Sequence, residues 1–232
     1  MTDYHDRVVV VTGGTGALGC AVVEALLARG ASCVVPYRGD GVAARFPFKD
    51  RVKLVGPVDL SDERDVARVY DGAGALWASI HLAGGFAMTS IADTKKADIL
   101  RMFEMNLVTC HLCCAAAVRA FRRGDQGGRI VNVAARPALE PRLAAGMAAY
   151  GASKAAVAAL TEALAEEVAS NGILVNAVAP SIIDTPANRA AMPMAKHEQW
   201  PKVDEIAATI VFLASPENRV TRGAIVPVYG KS

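Results

Sequence analysis

Tyr150 and Lys154 stand four positions apart at the start of an Ala-rich segment, in the pattern Tyr-x-x-x-Lys. Residues four apart lie on one face of a helix, so the phenol and the ammonium group can reach the same ligand atom. A free phenol has a pKa of about 10 and is a poor acid–base catalyst at neutral pH. A neighbouring ammonium group stabilises the phenolate, so we expect it to lower the phenol pKa toward the working range. The spacing therefore predicts a proton-transfer pair.

A glycine-rich turn, TGGTGALG at 12–19, follows the apolar run Arg7–Thr12 and precedes a segment with helical periodicity. Glycine lets the backbone approach a pyrophosphate closely, and the following helix presents free N–H groups to the anion. The position between a first strand and a first helix favours a dinucleotide site over the alternative, a packing turn without a ligand. The expected contacts are Gly13, Thr15, Gly16, Ala17 and Leu18.

The end of the second predicted strand, VPYRGD at 35–40, bears on the choice of dinucleotide. An acidic side chain there holds a ribose 2′-hydroxyl, whereas a basic side chain favours a 2′-phosphate. Arg38 follows Tyr37, and a guanidinium group binds phosphate in a bidentate manner, so we expect NADP. In the alternative, NAD is the cofactor, Asp40 binds the ribose and Arg38 is a solvated loop charge.

Predicted strands and helices alternate along the chain, and a long Ala-rich helix runs from about Ala149 to Ser170. This alternation is typical of a parallel sheet with helices on both faces, so we expect an α/β fold, a doubly wound Rossmann-type sheet of about seven strands. No linker or repeat divides the chain, and residues 1–232 are expected to form a single domain. The predicted strands are Arg7–Thr12, Ser32–Tyr37, Val52–Val55, Ser79–Ala83, Arg129–Val133, Ile173–Val178 and Ala224–Val228.

Composition argues against several classes of function. The formal net charge is +2 and 53% of the residues are hydrophobic, which gives neither a basic field for nucleic acid nor a disordered chain. The N-terminal residues are charged where a signal peptide would be apolar. Residues 72–92 lack charge, but their glycines and polar residues suit a buried strand between loops better than a membrane span. We expect a cytoplasmic protein that binds neither nucleic acid nor membrane.

Five cysteines are present, an odd number that argues against a disulfide framework. Cys110, His111, Cys113 and Cys114 are the candidate metal ligands, and they stand in an apolar segment that is predicted to be a helix. No second ligand pair has a suitable spacing elsewhere, so cysteines packed as small apolar residues are favoured over a zinc site. We therefore expect no bound metal.

Together with the segments VDL at 58–60, HLAGG at 81–85, EMNLVT at 104–109 and VNAVAPS at 175–181, these motifs resemble the short-chain dehydrogenase/reductase family over the whole chain. The resemblance implies an oxidoreductase in which Tyr150 donates the proton and Lys154 also bonds the nicotinamide ribose. It gives Asn106 the role of holding a proton-relay water. The other implied cofactor contacts are Asp59 and Leu60 at the adenine, Ala83 and Gly84 after the fourth strand, and Pro180, Ile183 and Thr185 around the carboxamide.

One position departs from the family pattern: Ala135 stands where a catalytic serine normally bonds the substrate oxygen. Losing such a donor costs orders of magnitude in rate when the substrate needs it. Either the substrate is reactive enough without the donor, or Arg136 or a water replaces it, or redox activity has been lost. We favour the first reading, because dihydropteridine reductases of the same family resemble this chain in lacking the serine and act on an electron-poor substrate.

Residues 182–201 lose regular periodicity and are expected to form a short loop over the substrate. Met192, Met194 and Trp200 suit either an apolar ligand or an ordinary packed lid. His197 is interpreted as a surface side chain rather than an acid or base. Arg136 and Arg142 flank the site and could hold an anionic group.

The expected function is reduction of a carbonyl or similar electron-poor small molecule by an NADP-dependent enzyme. The alternative is a regulatory or scaffolding protein of the same fold that binds the cofactor without turnover, an idea motivated by Ala135. The resemblance also implies self-association to a homodimer or homotetramer through the helices after Asn106 and Tyr150, whose Ala-rich faces permit close approach. The alanines concerned are Ala155, Ala156, Ala159 and Ala163.

Overall fold

A computed structural model describes residues 4–124 and 126–232, and in it seven strands form one sheet. The strands are β1 (Val8–Thr12), β2 (Ser32–Pro36), β3 (Lys53–Val55), β4 (Leu76–His81), β5 (Gly128–Val133), β6 (Ile173–Pro180) and β7 (Ile225–Val228). Their order across the sheet is β3-β2-β1-β4-β5-β6-β7, and all neighbours are parallel. The expected α/β, doubly wound sheet of seven strands is confirmed.

Helices cover both faces of this sheet, as buried parallel strands require. They are α1 (Ala17–Leu27), α2 (Val42–Arg45), α3 (Glu63–Asp71), α4 (Lys96–Phe103), α5 (Thr109–Phe121), α6 (Arg136–Leu139), α7 (Ala148–Glu167), α8 (Pro186–Ala191) and α9 (Val203–Leu213). A π-helical turn, Glu104–Val108, joins α4 to α5. Single 3₁₀ turns occupy Pro141–Ala144, Ala169–Asn171 and His197–Gln199.

Each face of the sheet has its own apolar core. On one face α1 and α9 pack together through side chains such as Val22, Leu26 and Ile210, all fully buried. On the other face α3, α5 and α7 contribute to a second cluster that includes Phe121 and Val157. The strands between them, such as VVVVT of β1, are apolar along their length because neither side meets water.

Strands β1, β2 and β3 follow one another toward one edge of the sheet, whereas β4 lies on the other side of β1 and the later strands continue toward the opposite edge. This change of direction leaves a crevice at the carboxyl ends of β1 and β4. In register, Thr12 lies beside His81, and His81 lies beside Asn132. The ends of three neighbouring strands therefore face the same edge of the sheet. This is the edge where ligands bind in open α/β sheets.

Two segments differ from the expected pattern. Strand β4 begins at Leu76 and ends at His81, rather than running from Ser79 to Ala83, because Leu76 and Trp77 are already buried against the core. Residues 182–201 are not irregular throughout, since they contain α8 and a 3₁₀ turn. Thr185 caps α8 by accepting a hydrogen bond from the Asn188 N–H, a local signal that hydrophobic periodicity does not register.

The helical stretch Lys96–Phe121 is long and apolar enough to cross a membrane by composition alone. In the structure its second half, α5, packs against the sheet, and nine of the thirteen residues of α5 are buried. Core packing therefore accounts for the apolar character of α5.

Candidate active site

The glycine turn between β1 and α1 is packed too closely for side chains. Gly13 has a φ of 65°, and a Cβ added to it would lie 2.7 Å from the backbone N of Ala83. A Cβ on Gly19 would lie 2.2 Å from the carbonyl oxygen of Gly13. Glycine is thus required both for the turn and for the close approach of α1 to the strand ends.

The N-terminus of α1 fits an anion. Its N-cap residue, Gly16, supplies no side-chain cap. The Cys20 N–H donates to the Gly16 carbonyl in the first turn of the helix. The N–H groups of Ala17 and Leu18 precede Cys20 and are among the donors that a helix leaves without intrahelical partners. Gly16 and Ala17 are exposed at the crevice. These donors and the helix dipole suit a pyrophosphate, so the residues present fit a dinucleotide.

At the far end of the crevice, the guanidinium group of Arg38 lies 3.5 Å from the carboxylate of Asp59. The Ser61 hydroxyl and its backbone N–H both donate to Asp59, at 2.7 and 3.0 Å. These hydrogen bonds, with the nearby Arg38, lower the pKa of Asp59. The structure thus brings the expected phosphate ligand and the expected adenine ligand side by side.

Asn106 is buried in the π-helical turn between α4 and α5, and its side chain joins two parts of the site. Its Oδ1 accepts from the Gly85 N–H at 2.9 Å, and its Nδ2 donates to the Gly85 carbonyl at 3.1 Å. The same Nδ2 donates to the Ser153 hydroxyl at 3.0 Å, and that hydroxyl donates to the Tyr150 carbonyl at 2.8 Å. π-Helical turns are frequent at functional sites.

Tyr150 stands on the first turn of α7, and its ring packs edge-on against Phe86, with ring centroids 4.9 Å apart. Burial raises the pKa of Tyr150 to about 12. The expectation that Lys154 lowers the pKa of Tyr150 toward the working range is therefore wrong. Desolvation of the phenolate is the dominant effect.

Lys154 is 7% exposed and its Nζ donates to the Val133 carbonyl at 2.8 Å. Burial lowers the pKa of this ammonium group to about 8. A Cβ added to Gly84 would lie 3.4 Å from Lys154 Nζ and 2.7 Å from Asn106 Oδ1. Gly84, Asn106 and Lys154 therefore meet at one point, beside the glycine turn.

Ala135 is buried at the N-terminus of α6, directly after β5. The neighbouring Arg136 makes two hydrogen bonds to the Glu140 carboxylate, at 3.0 and 3.2 Å, and lies over the ring of Tyr229. Nε and Nη2 of Arg136 are thus engaged with Glu140.

The other predicted contacts lie around the same edge of the sheet. Pro180 is the buried last residue of β6, and Ile183 packs against the core beside it. Thr185 caps α8, so its oxygen already accepts one hydrogen bond. Leu60 packs against the core beside Asp59. Ala83 donates its N–H to the Thr12 hydroxyl at 3.3 Å. Thr15 lies half-buried in the glycine turn.

Two members of the site escaped sequence analysis. Ser153 is fully buried and links Asn106 to the start of α7; its position between Tyr150 and Lys154 was the available signal. The ring of Phe86 packs beside Tyr150, and no spacing rule connects these two residues.

His197 lies half-buried against Trp200 with its Nε2 at 2.7 Å from the Met192 carbonyl, as part of a packed turn.

Comparison with known proteins agrees with this geometry. Residues 7–196 match the sequence model of the short chain dehydrogenase family. The chain is 34% identical to cis-4-hydroxycyclohexanecarboxylate dehydrogenase of Sinomonas cyclohexanicum, over 98% of this chain and 96% of that protein. It is 30% identical to the cyclic-di-GMP-binding biofilm dispersal mediator protein of Escherichia coli (strain K12), over 99% of this chain and 98% of that protein.

A solved structure is also similar. A short-chain type dehydrogenase/reductase from Mycobacterium ulcerans superimposes with a TM-score of 0.87 at 25% identity, over 99% of this chain and 90% of that one. The family match, the relatives and the arrangement around Tyr150 and Lys154 agree with one another. The chain belongs to the short-chain dehydrogenase/reductase family of oxidoreductases.

Proposed function

We propose that this protein is an NADP-dependent reductase of an uncharged carbonyl or similarly electron-poor compound, with Tyr150 as the proton donor. The observation that carries the proposal is the meeting of Lys154 and the Asn106 amide at Gly84, beside the glycine turn, with Tyr150 one helical turn before Lys154 on α7. The nicotinamide of the bound cofactor supplies the hydride. The chain's own groups supply a proton, a positive charge and the geometry.

The phenol of Tyr150 is suited to donating a proton. With a pKa of about 12, it is neutral throughout the physiological range, so the donor form is fully populated. In the proposed step, the O–H bond of Tyr150 breaks and its proton passes to the substrate oxygen. Lys154 stands one helical turn away on the same face and supplies the positive charge of the site.

Lys154 and Asn106 have distinct roles in this scheme. Lys154 is buried, anchored to the Val133 carbonyl, and carries the charge. Asn106 uses its side chain on Gly85 and Ser153, so we assign it the positioning of the loop after β4 and of the first turn of α7. The relay water that the family resemblance assigns to Asn106 remains a prediction.

Arg38 supports NADP as the cofactor. Its guanidinium group is mostly exposed and its ion pair with Asp59 is 3.5 Å long. An exposed pair of this kind is worth about 0–1 kcal/mol, so a phosphate dianion can compete for the guanidinium group. A bidentate contact to phosphate is worth more than that pair. NAD with ribose bound by Asp40 is the alternative.

The rim of the crevice supports an apolar substrate. Exposed large apolar side chains follow the carboxyl ends of β4, β5 and β6, around the edge that holds Tyr150, and such concentrations mark binding sites. Two arginines of these segments are neutralised, Arg136 by Glu140 and Arg189 by Asp184. The rim residues are Phe86, Met88, Ile91, Leu139, Leu143, Ile182 and Met194.

Ala135 supports a substrate that accepts hydride easily. Its side chain has no group to bond the substrate oxygen, and Arg136 is engaged elsewhere. We therefore keep the reading that the compound is electron-poor, for example an activated carbonyl or a quinone-like ring. Its proton would come from Tyr150 alone.

The test combines cofactor binding with turnover. Purified protein is titrated with NADPH and NADH by fluorescence, then assayed on apolar activated ketones, quinones and pterins. Tyr150→Phe should bind NADPH as tightly as the wild type and lose at least about 100-fold in turnover, as expected for a removed acid. Tyr229→Phe is the matched control. Equal turnover of Tyr150→Phe and wild type would end the proposed role.

A binding role without turnover is the alternative function. One relative is named for binding cyclic-di-GMP, and Ala135 lacks the usual hydroxyl. The assembled Tyr150, Ser153 and Lys154 favour chemistry instead. Tight NADPH binding with no substrate in the panel would support the alternative.

We also propose that the protein is cytoplasmic and that residues 1–232 form a single domain.

We propose in addition that the protein self-associates to a homodimer or homotetramer. Ala159 and Ala163 are exposed on α7, and Leu100 and Val108 are exposed on the stretch from α4 to α5. These faces are small or apolar and would permit close helix packing. Light scattering checks the assembly, and a monomer at micromolar concentration would contradict it.

A further inference from the structure

We propose that His81, Cys110 and Cys114 form a buried site for one soft, thiophilic metal ion. Cys110 and Cys114 lie one turn apart in α5, and His81 is the last residue of β4. Their ligand atoms all lie within 4.8 Å of one another. The positions of these cysteines along an apolar helix give no sign of a histidine about thirty positions earlier.

The spacing of two of the ligand atoms, Nδ1 of His81 and Sγ of Cys114, is that of a metal-bound pair. With metal–sulfur bonds of about 2.3 Å and metal–nitrogen bonds of about 2.0 Å, tetrahedral geometry separates the two ligand atoms by about 3.5 Å. The Sγ of Cys114 lies 3.5 Å from Nδ1 of His81. These two atoms are therefore already at the separation of a metal-bound pair.

The outer groups hold His81 in the required orientation. Its Nε2 lies 2.8 Å from the Ser79 hydroxyl and 3.2 Å from the Tyr70 hydroxyl. When Nε2 carries the proton and donates to Ser79, Nδ1 keeps a lone pair that a metal ion can bind. Metal-bound histidines almost always have such a partner on the second nitrogen.

Asn132 supplies a further oxygen at the same point. Its Oδ1 lies 2.8 Å from Nδ1 of His81 and 3.6 Å from Sγ of Cys114, while its Nδ2 donates to the Thr161 hydroxyl at 2.9 Å. The amide is thus held with its oxygen toward the cluster. It can accept a proton from His81 in the metal-free chain or approach the ion as a fourth ligand.

The ligand set selects the class of ion. Two thiolates and an imidazole prefer Cu(I) and Zn(II), whereas Mg²⁺ and Ca²⁺ require oxygen ligands. His81, Cys110 and Cys114 are each at most 5% exposed, so the ion would have protein ligands and no open position for a substrate. A closed site of this kind is structural rather than catalytic.

The test measures metal content directly and does not depend on the reductase activity. Protein is refolded anaerobically with a small excess of either Zn(II) or Cu(I), desalted, and analysed by mass spectrometry for metal per chain. We expect about one ion per chain for at least one of the two metals. Refolding with Co(II) should give the intense thiolate-to-metal absorption band of a cysteine-bound ion.

Variants separate this site from adventitious binding to thiols. Cys110→Ala and Cys114→Ala should lose at least about tenfold in affinity, as removal of a ligand predicts. Cys33→Ala, which removes a buried thiol on the other face of the sheet, and Cys113→Ala, whose thiol is outside the ligand group, should retain the ion. Circular dichroism confirms folding, and His81→Asn replaces any cysteine variant that does not fold.

Two results would overturn the proposal. One is the failure of wild-type protein to retain either metal after refolding, together with no cobalt–thiolate band. The other is undiminished retention in Cys110→Ala and Cys114→Ala. In either case the three side chains form only a hydrogen-bonded polar cluster.

Discussion

The Nζ of Lys154 donates a hydrogen bond of 2.8 Å to the carbonyl oxygen of Val133, the last residue of β5. This bond fixes a buried ammonium group at the strand edge, where a long flexible side chain would otherwise lose rotamer entropy on binding. It also ties the first turns of α7 to the sheet. The charge in the proposed mechanism is therefore held by the sheet itself.

The first prediction concerns pH. Burial lowers the pKa of Lys154 to about 8, so its ammonium form is present below that pH and is lost above it. Tyr150, with a pKa of about 12, keeps its proton over the same range. We therefore expect kcat/KM for reduction to be steady at neutral pH and to fall above about pH 8. A profile measured between about pH 6 and 10 checks this, and a flat profile would contradict it.

The second prediction concerns Gly84. A methyl group there would press against Asn106 Oδ1 and approach Lys154 Nζ, so Gly84→Ala should cost at least about tenfold in kcat/KM while the protein stays folded. Gly124→Ala is the control, because the one atom of the described residues that its Cβ would meet is the Phe121 carbonyl oxygen, at 3.9 Å. Equal activity of the two variants would show that the convergence of side chains at Gly84 is not needed.

The third prediction concerns the cofactor. Arg38→Ala should raise the Kd for NADPH about tenfold to a hundredfold and leave the Kd for NADH nearly unchanged, because only the former carries the 2′-phosphate. Arg45→Ala serves as control, since this exposed arginine bonds the Gly41 carbonyl nearby. A preference for NADH in the wild type, unaffected by Arg38→Ala, would assign the protein to NAD.

The fourth prediction concerns Ala135. Ala135→Ser adds a hydroxyl at the N-terminus of α6, where the family resemblance places the substrate-oxygen donor. Turnover of an unactivated ketone should rise about tenfold or more, with little gain on an activated compound that does not need the donor. Ala134→Ser, one position earlier and also buried, is the control. An equal effect of the two substitutions would contradict the assignment of Ala135.

Most of the fold could be predicted from the sequence because its signals are local. Apolar runs such as Arg7–Thr12 mark strands buried on both faces, and Gly19 is required by its contact with the Gly13 carbonyl, six positions earlier. The boundaries of β4 and the helix α8 have no such local signal. Burial of Leu76 depends on distant helices, and the Thr185 cap is a single hydrogen bond.

The sequence by itself determined the parallel sheet, the glycine turn and the common helical face of Tyr150 and Lys154, because each follows from the geometry of one strand, turn or helix. Only the tertiary structure decided that Phe86 packs against the Tyr150 ring and that Glu140 accepts hydrogen bonds from Arg136. It also decided that burial raises the pKa of Tyr150. It alone brought His81 to Cys110 and Cys114. Such meetings depend on how separate elements pack, and desolvation depends on everything that surrounds a group, so neither is readable from spacing along the chain.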